Sequence, residues 1–209
     1  MVRQGMLLVI SAPAGTGKTT LCRELLRRFT GMRESISYTT RSPRPDEVNG
    51  ADYHFISPAQ FRRMIGQNTF AEWSEVHGNL YGTSLESLTE ARANGADLLL
   101  NIDCQGTEKL KERFKDICSV FILPPSLQEL RRRLEQRGTD TSVEIEGRLM
   151  RAAEEIRTAG GYDYIVVNDS LPKALDDISA ILTAHRLKAV HMLPLARALI
   201  CCSDPLHET

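Results

Sequence analysis

The sequence predicts an α/β fold built on a mainly parallel sheet with helices on both faces. Three observations carry that prediction. Short, continuous apolar runs at residues 6–11, 97–102, 117–123 and 162–167 read as buried strands. Helical patterns at 17–29, 106–114, 126–136 and 172–187 separate or follow them, the alternation that sets strands parallel beneath crossover helices. Two stretches, about 35–95 and about 138–160, break this rhythm and read as segments inserted into one domain. The core is then expected over about 1–34, 96–137 and 161–209.

The first apolar run leads into Ser11-Ala12-Pro13-Ala14-Gly15-Thr16-Gly17-Lys18-Thr19-Thr20, and a helical pattern opens directly after it. Strand, glycine-rich loop and helix in that order make a phosphate-binding loop. The glycines let successive backbone N–H groups turn inward around phosphate oxygens, and the positive end of the helix points at the same place. Residues 12–20 are therefore expected to cradle a nucleoside triphosphate. Lys18 is expected to reach the β- and γ-phosphates and the Thr19 hydroxyl to sit on Mg²⁺. The first position of the G-x-x-x-x-G-K-[ST] pattern holds Ala12 here. The later glycines make the tightest turn, so the loop should tolerate it. The alternative is an ordinary glycine turn before a helix.

Composition narrows the classes. A formal charge of −1 over 209 residues carries no nucleic-acid footprint. No apolar stretch approaches the roughly 20 residues of a membrane span, and the run at 6–10 is too short for a signal peptide. The five cysteines are odd in number and lack C-x-x-C spacing, which suggests neither a disulfide framework nor a zinc site. A reduced, cytoplasmic chain without nucleic-acid or membrane partners is expected; monomer and homo-oligomer stay equally open.

Short alternating runs at 35–39, 52–56 and 70–76, punctuated by Pro43, Pro45 and Gly50, suggest a small antiparallel insert with helices near 58–65 and 84–94. On its first loop Arg41 and Arg44 stand three residues apart. Planar guanidinium forks match phosphate oxygens two at a time. Tyr53, Glu72, Tyr81 and Thr83 follow. Each alone has a plain alternative: a solvated turn, half-buried core, or a cap on a neighbouring element. The polar, helical stretch at 138–160 suits a mobile lid. Trp73 is expected to pack within the insert. Arg131 and Arg132 are expected at the surface, with Glu129–Arg133 and Arg131–Glu135 as i,i+4 pairs. The apolar run at 195–202, between Pro194 and Pro205, leaves docked and free placements both open.

Taken together the motifs are more specific. Ser11 to Thr19 is followed by Thr39-Thr40-Arg41-Ser42-Pro43-Arg44-Pro45, Glu47-Val48-Asn49-Gly50-Ala51-Asp52-Tyr53-His54-Phe55 and Gly78-Asn79-Leu80-Tyr81-Gly82-Thr83. Ile102-Asp103-Cys104-Gln105-Gly106, Ile122-Leu123-Pro124-Pro125-Ser126, Arg137-Gly138-Thr139-Asp140 and Ile165-Val166-Val167-Asn168-Asp169 complete the series. This order resembles the guanylate kinases, which phosphorylate GMP at the expense of ATP, and the likeness covers nearly everything from residue 5 to about 190. The resemblance implies a P-loop kinase core, a small mixed α/β insert that binds the nucleoside monophosphate, and a helical lid. It implies that Ser37, Arg41, Arg44, Tyr53 and Tyr81 hold the GMP phosphate, and that Glu72, Thr83 and Asp103 read the guanine. It also implies that Arg133, Arg137 and Arg148 close on the triphosphate. Lys18, Arg41, Arg137 and Arg148 are then the catalytic cations, with Mg²⁺ as cofactor, and GMP and dGMP as expected acceptors in purine nucleotide metabolism.

Residue chemistry agrees with these assignments. Guanine offers N1–H and an exocyclic amine as donors, which adenine lacks at those positions, and carboxylates only accept. Two other readings remain at this stage. A non-catalytic binding module of the same family is expected to have a degraded phosphate loop, whereas Lys18-Thr19 is intact. A related kinase for another phosphorylated acceptor, such as a ribose bisphosphate, has no use for carboxylates facing a purine. One departure stands out: the family usually has Asp-Ile-Asp where this chain has Asn101-Ile102-Asp103. Asn101 is expected to meet Mg²⁺ at most through water, and its amide brings no charge. Asn101→Asp should leave turnover intact and modestly lower the Mg²⁺ concentration for half-maximal activity. A Mg²⁺ titration showing a large loss of turnover would overturn this view of the position.

Overall fold

The computed structural model describes residues 4–76, 78–136, 138 and 141–201. β1 (Leu7–Ser11) is buried along its whole length and feeds the loop that opens α1 (Lys18–Arg28). β2 (Met32–Glu34) is a short strand that the apolar pattern does not announce, because only Met32 of its side chains is buried. Next come β3 (Tyr38–Thr39), β4 (His54–Phe55), α2 (Pro58–Gly66), β5 (Phe70–Val76), β6 (Asn79–Ser84) and α3 (Leu85–Ala93). The chain continues through β7 (Asp97–Asn101), α4 (Cys104–Arg113), β8 (Cys118–Leu123), α5 (Leu127–Gln136) and α6 (Ser142–Arg157). A 3-10 turn at Thr158–Gly161 leads to β9 (Tyr164–Val167), α7 (Leu171–Arg186) and α8 (Ala189–Cys201).

The core sheet has the order β2-β7-β1-β8-β9, with every neighbouring pair parallel. Alternation along β1 divides the interior in two. Leu8 and Ile10 cluster with Leu21 and Leu25 of α1 and with Ile178 and Leu182 of α7. Leu7 and Val9 cluster instead with Leu88 of α3 and Leu110 of α4. Both faces are dry, which is why these strands read as unbroken apolar runs. The expected α/β architecture is present.

The insert sheet, β4-β3-β6-β5, is mixed rather than wholly antiparallel: β3 and β4 run parallel, the other pairs antiparallel. Residues 40–53 form a loop long enough to carry the chain back to the start of a parallel neighbour, which a tight hairpin cannot do. β6 escapes an apolar-pattern reading because polar residues and Gly82 dominate it. A capping box of Ser57 and Gln60 starts α2, and Phe61 of α2 stacks on Phe70 of β5 with ring centroids 4.5 Å apart. α3 lies inside the inserted segment, yet its Leu88 packs with Leu98 and Leu100 of β7. The insert is thus riveted to the core by its own last helix.

The polar stretch after α5 forms α6, opened by a capping box of Thr141 and Glu144. Ile145 and Ala152 of α6 pack on Leu130 and Leu134 of α5. Arg131 pairs with Glu146 of α6 at 2.5 Å instead of with Glu135, because α6 brings an acid closer than the next helical turn does. Glu129 does meet Arg133, at 2.9 Å. α8 continues as a helix through Pro194 with Leu195 and Ile200 exposed. Among the described residues no helix is long and apolar enough to cross a membrane.

One buried acid ties the first and last core elements together. Asp97 accepts from the Met6 N–H at 2.8 Å and from Arg186 of α7 at 2.6 and 2.8 Å, and Arg186 lies over the Phe29 ring. Asp97 is only 1% exposed, so its removal strands a backbone donor and a guanidinium. Asp97→Ala should cost about 3 kcal/mol in urea unfolding. A loss below about 0.5 kcal/mol, the range of ordinary surface changes, would refute this role.

Candidate active site

The loop after β1 has the features that anion binding requires. Gly15 and Gly17 adopt positive φ, 90° and 94°. Gly17 is the N-cap of α1, no side chain caps that helix, and its first turn holds no acid. Its leading amides and positive dipole end therefore face outward unclaimed. A Cβ at Gly17 would meet the Asn168 amide nitrogen at 2.7 Å, so the position excludes any other residue on space as well as on φ. Asn168, 6% exposed, donates to the Thr16 carbonyl at 2.7 Å and braces the loop from β9's carboxyl end. Ala12 has no positive φ and packs against the α1/α7 cluster, which explains why a glycine is dispensable there. Pro13 and Thr16 are buried in the loop, Ala14 is exposed, and Thr20 faces solvent on α1.

Beyond the loop lies a cleft of about 250 Å³ between the core and the insert. Lys18, Thr19, Asn101 and Asp103 line it from the core side; Ser37, Tyr53, Glu72, Ser74 and Tyr81 line it from the insert. The cleft opens at the carboxyl ends of β1 and β7, where parallel sheets of this kind bind ligands. The Lys18 ammonium reaches the Ile102 carbonyl at 3.5 Å.

The two carboxylates come from opposite lobes. Glu72 and Thr83 are cross-strand partners on β5 and β6. Thr83 is fully buried and donates its hydroxyl to Glu72 at 2.5 Å, so it stands behind the acid and does not line the cleft. The other Glu72 oxygen rests against Gly106 of α4, where an added Cβ would come within 2.6 Å of it. Gly106 is a close-approach glycine. Asp103 is the N-cap of α4 and accepts from the Gly106 N–H at 2.9 Å through Oδ1, while Oδ2 accepts from Ser74 at 2.5 Å. Burial pushes the Glu72 carboxyl up to about 7; nearby Asp103 pushes the same way and the Thr83 hydroxyl opposes. Burial likewise raises the Tyr53 phenol.

The predicted arginines stand at the rim. Arg41 holds both oxygens of Glu47, at 2.7 and 2.9 Å, and lies over the Tyr53 and Phe55 rings. That pairing holds the Glu47 carboxyl below the usual carboxylate range. The Arg44 N–H also donates to Glu47, at 2.8 Å. Arg44 and Arg148 line one cavity together with Ala14, which brings insert, α6 and phosphate loop face to face. Arg133 donates to the Asn168 carbonyl at 3.2 Å and to Glu129, beside the loop. Arg137 lies outside the described residues. Trp73 is half-exposed, with the Lys109 ammonium of α4 lying 4.7 Å from its ring and donating to its carbonyl.

Sequence reading missed Glu47, Ser74, Gly106 and Asn168. An Asp directly before a helical pattern is an N-cap signal, and it was the available clue to the Asp103–Gly106 contact.

The family model for guanylate kinase matches residues 4–185. The chain is 50% identical over 193 residues to a guanylate kinase of Geobacter sulfurreducens, covering 92% of this chain and 95% of that one. It is 51% identical over 189 residues to one of Syntrophotalea carbinolica, covering 90% of each. The crystal structure of guanylate kinase from Anaplasma phagocytophilum superposes with a TM-score of 0.80 at 35% identity, covering 98% of this chain and 97% of that one. Likeness of this extent, in sequence and in backbone path alike, makes the chain a member of the guanylate kinase family.

Proposed function

We propose that this chain transfers the γ-phosphoryl group of ATP to GMP, and to dGMP, giving GDP or dGDP and ADP. The convergence of Glu72 and Asp103 with Lys18 on one cleft carries the reading. Two acceptor-only side chains facing a purine select the one that presents donors on that edge, and an unpaired buried carboxylate penalises adenine. In this scheme residues 12–20 cradle the ATP phosphates and Arg133 supports them. Ser37, Tyr53 and Tyr81 offer hydroxyls to the GMP phosphate, with Arg41 and Arg44 at its edge. Thr83 orients Glu72.

The accepting phosphate oxygen is already ionised near neutral pH, since the second phosphate pKa lies near 6. No general base is needed. Catalysis then rests on alignment and charge neutralisation between two polyanions, supplied by Lys18, Arg41, Arg137 and Arg148. The segment 138–160 acts as a lid: α6 pivots on its contact with α5, carries Arg148 over the loop, and excludes water that would hydrolyse ATP.

The donor set suits Mg²⁺. Thr19 and Asn101 offer neutral oxygens beside the loop, and among the described residues no group of three acids, histidines or cysteines forms a metal cage. Mg²⁺ prefers substrate phosphates plus water to an all-protein site. Thr19 would hold it directly and Asn101 through water, and the bound ion would neutralise phosphate charge.

An ADP-release assay tests the reading. Turnover is expected with GMP and dGMP and near background with AMP and UMP. Equal rates on AMP and GMP would remove the base-reading role, and no ADP with any acceptor would remove catalysis.

Glu72 adds a pH dependence. Its folded carboxyl ionises only near pH 7, so the KM for GMP should climb several-fold between pH 8 and pH 6. Glu72→Gln should raise KM throughout and flatten that climb. The sign for stability is the reverse of the usual acid: the contribution is complete below about pH 4.5 and lost as pH rises through about 7. Without ligand, Glu72→Gln should therefore unfold later than wild type at pH 8, by up to roughly 3 kcal/mol, with the advantage gone near pH 4.5. Parallel curves for the two proteins would refute the burial argument.

A further inference from the structure

Ser74 lies outside every role assigned above, yet it sits at the joint between the two carboxylates. It follows Glu72 by two residues on β5, so both side chains project from the same face of the strand. Glu72 pairs across with Thr83 and Ser74 with Tyr81, two rungs of one ladder separated by the Trp73–Gly82 pair. Ser74 is 1% exposed, lines the cleft, and donates to Asp103 Oδ2 at 2.5 Å. This hydrogen bond crosses from the insert to the amino end of α4.

We propose that Ser74 is a positioning residue for guanine selection, holding Asp103 in the rotamer that faces the base. The inference rests on the reading that Asp103 accepts from guanine. A carboxylate has about four acceptor positions. The Gly106 N–H takes one on Oδ1 and the Ser74 hydroxyl one on Oδ2. Two donors from different elements lock both torsions of a short side chain, leaving the remaining lone pairs aimed into the cleft. Gly106 alone fixes one oxygen and permits the carboxylate to swing about that contact. The Ser74 hydroxyl has a single hydrogen, and Asp103 receives it. Its effect on the base therefore passes through the acid, and preorganisation of that kind appears in substrate affinity.

Steady-state kinetics on the full chain test this, with GMP varied at saturating ATP for wild type, Ser74→Ala, Ser74→Thr, Asp103→Asn and the Ser74→Ala/Asp103→Asn double variant. Ser74→Ala should raise the GMP KM about five- to tenfold with kcat within twofold. Ser74→Thr, which keeps the hydroxyl, should stay within threefold of wild type. In the Asp103→Asn background, Ser74→Ala should add less than a twofold change. A KM for Ser74→Ala equal to wild type, an equal loss in Ser74→Thr, or a full five- to tenfold increment in the double variant would overturn the positioning role while leaving Asp103's role intact. An Asp103→Asn variant with wild-type KM would instead overturn the base reading itself, and Ser74's part with it.

Discussion

Two acids that meet at one joint, Glu72 almost dry and Asp103 half-buried, constrain everything around them. Glu72 is 5% exposed, and its neighbour Asp103 raises the cost of ionising it. Such a pair persists only if each oxygen is met by a donor or by open space for a ligand. The joint between β5 and the amino end of α4 supplies this. Thr83 meets one Glu72 oxygen, Gly106 leaves room for the other, and Gly106 and Ser74 each take an Asp103 oxygen. A side chain at Gly106, or a β5 without its small polar residue, would disturb the pair before any substrate arrived.

The rest of the fold serves to hold that joint in register with the phosphate loop. Asp103 follows β7, and β7 lies beside β1, whose end launches the loop. Glu72 reaches the same place because α3 anchors the insert to β7. The phosphate loop and the acids of the cleft are thus placed by one parallel pair of buried strands. The loop itself is held from behind by Asn168, at the end of the edge strand β9. Cationic groups are arranged differently. Arg41 and Arg44 gather on Glu47 at the rim, and Arg148 arrives on a separate helix, so the positive charge is distributed over several elements around the loop.

Much of this was legible in the chain. The loop was visible because strand, glycines and helix are contiguous, and its chemistry is largely backbone chemistry. The core strands were visible because burial on both faces leaves an unbroken apolar run. β2 and β6 were not: one is mostly exposed, and the other is dominated by polar residues and Gly82. The parallel pairing of β3 with β4 depends on the path of a loop, which no local pattern encodes. Arg131's partner was misjudged for a related reason, since helix periodicity offers Glu135 while tertiary packing offers Glu146.

The sequence by itself determined the chemical types available: an amide nest after the first strand, acids suited to a donor-bearing purine, and guanidinium forks for phosphate. The nest and the forks follow from residue identity and short spacing; the part of the acids followed from the family resemblance. Only the tertiary structure decided which oxygen meets which donor. Ser74 and Asp103 stand 29 residues apart, and Asn168 and Thr16 stand 152 apart. Contacts of that span exist only once distant segments have packed, because nothing in the local backbone brings such residues within hydrogen-bond reach.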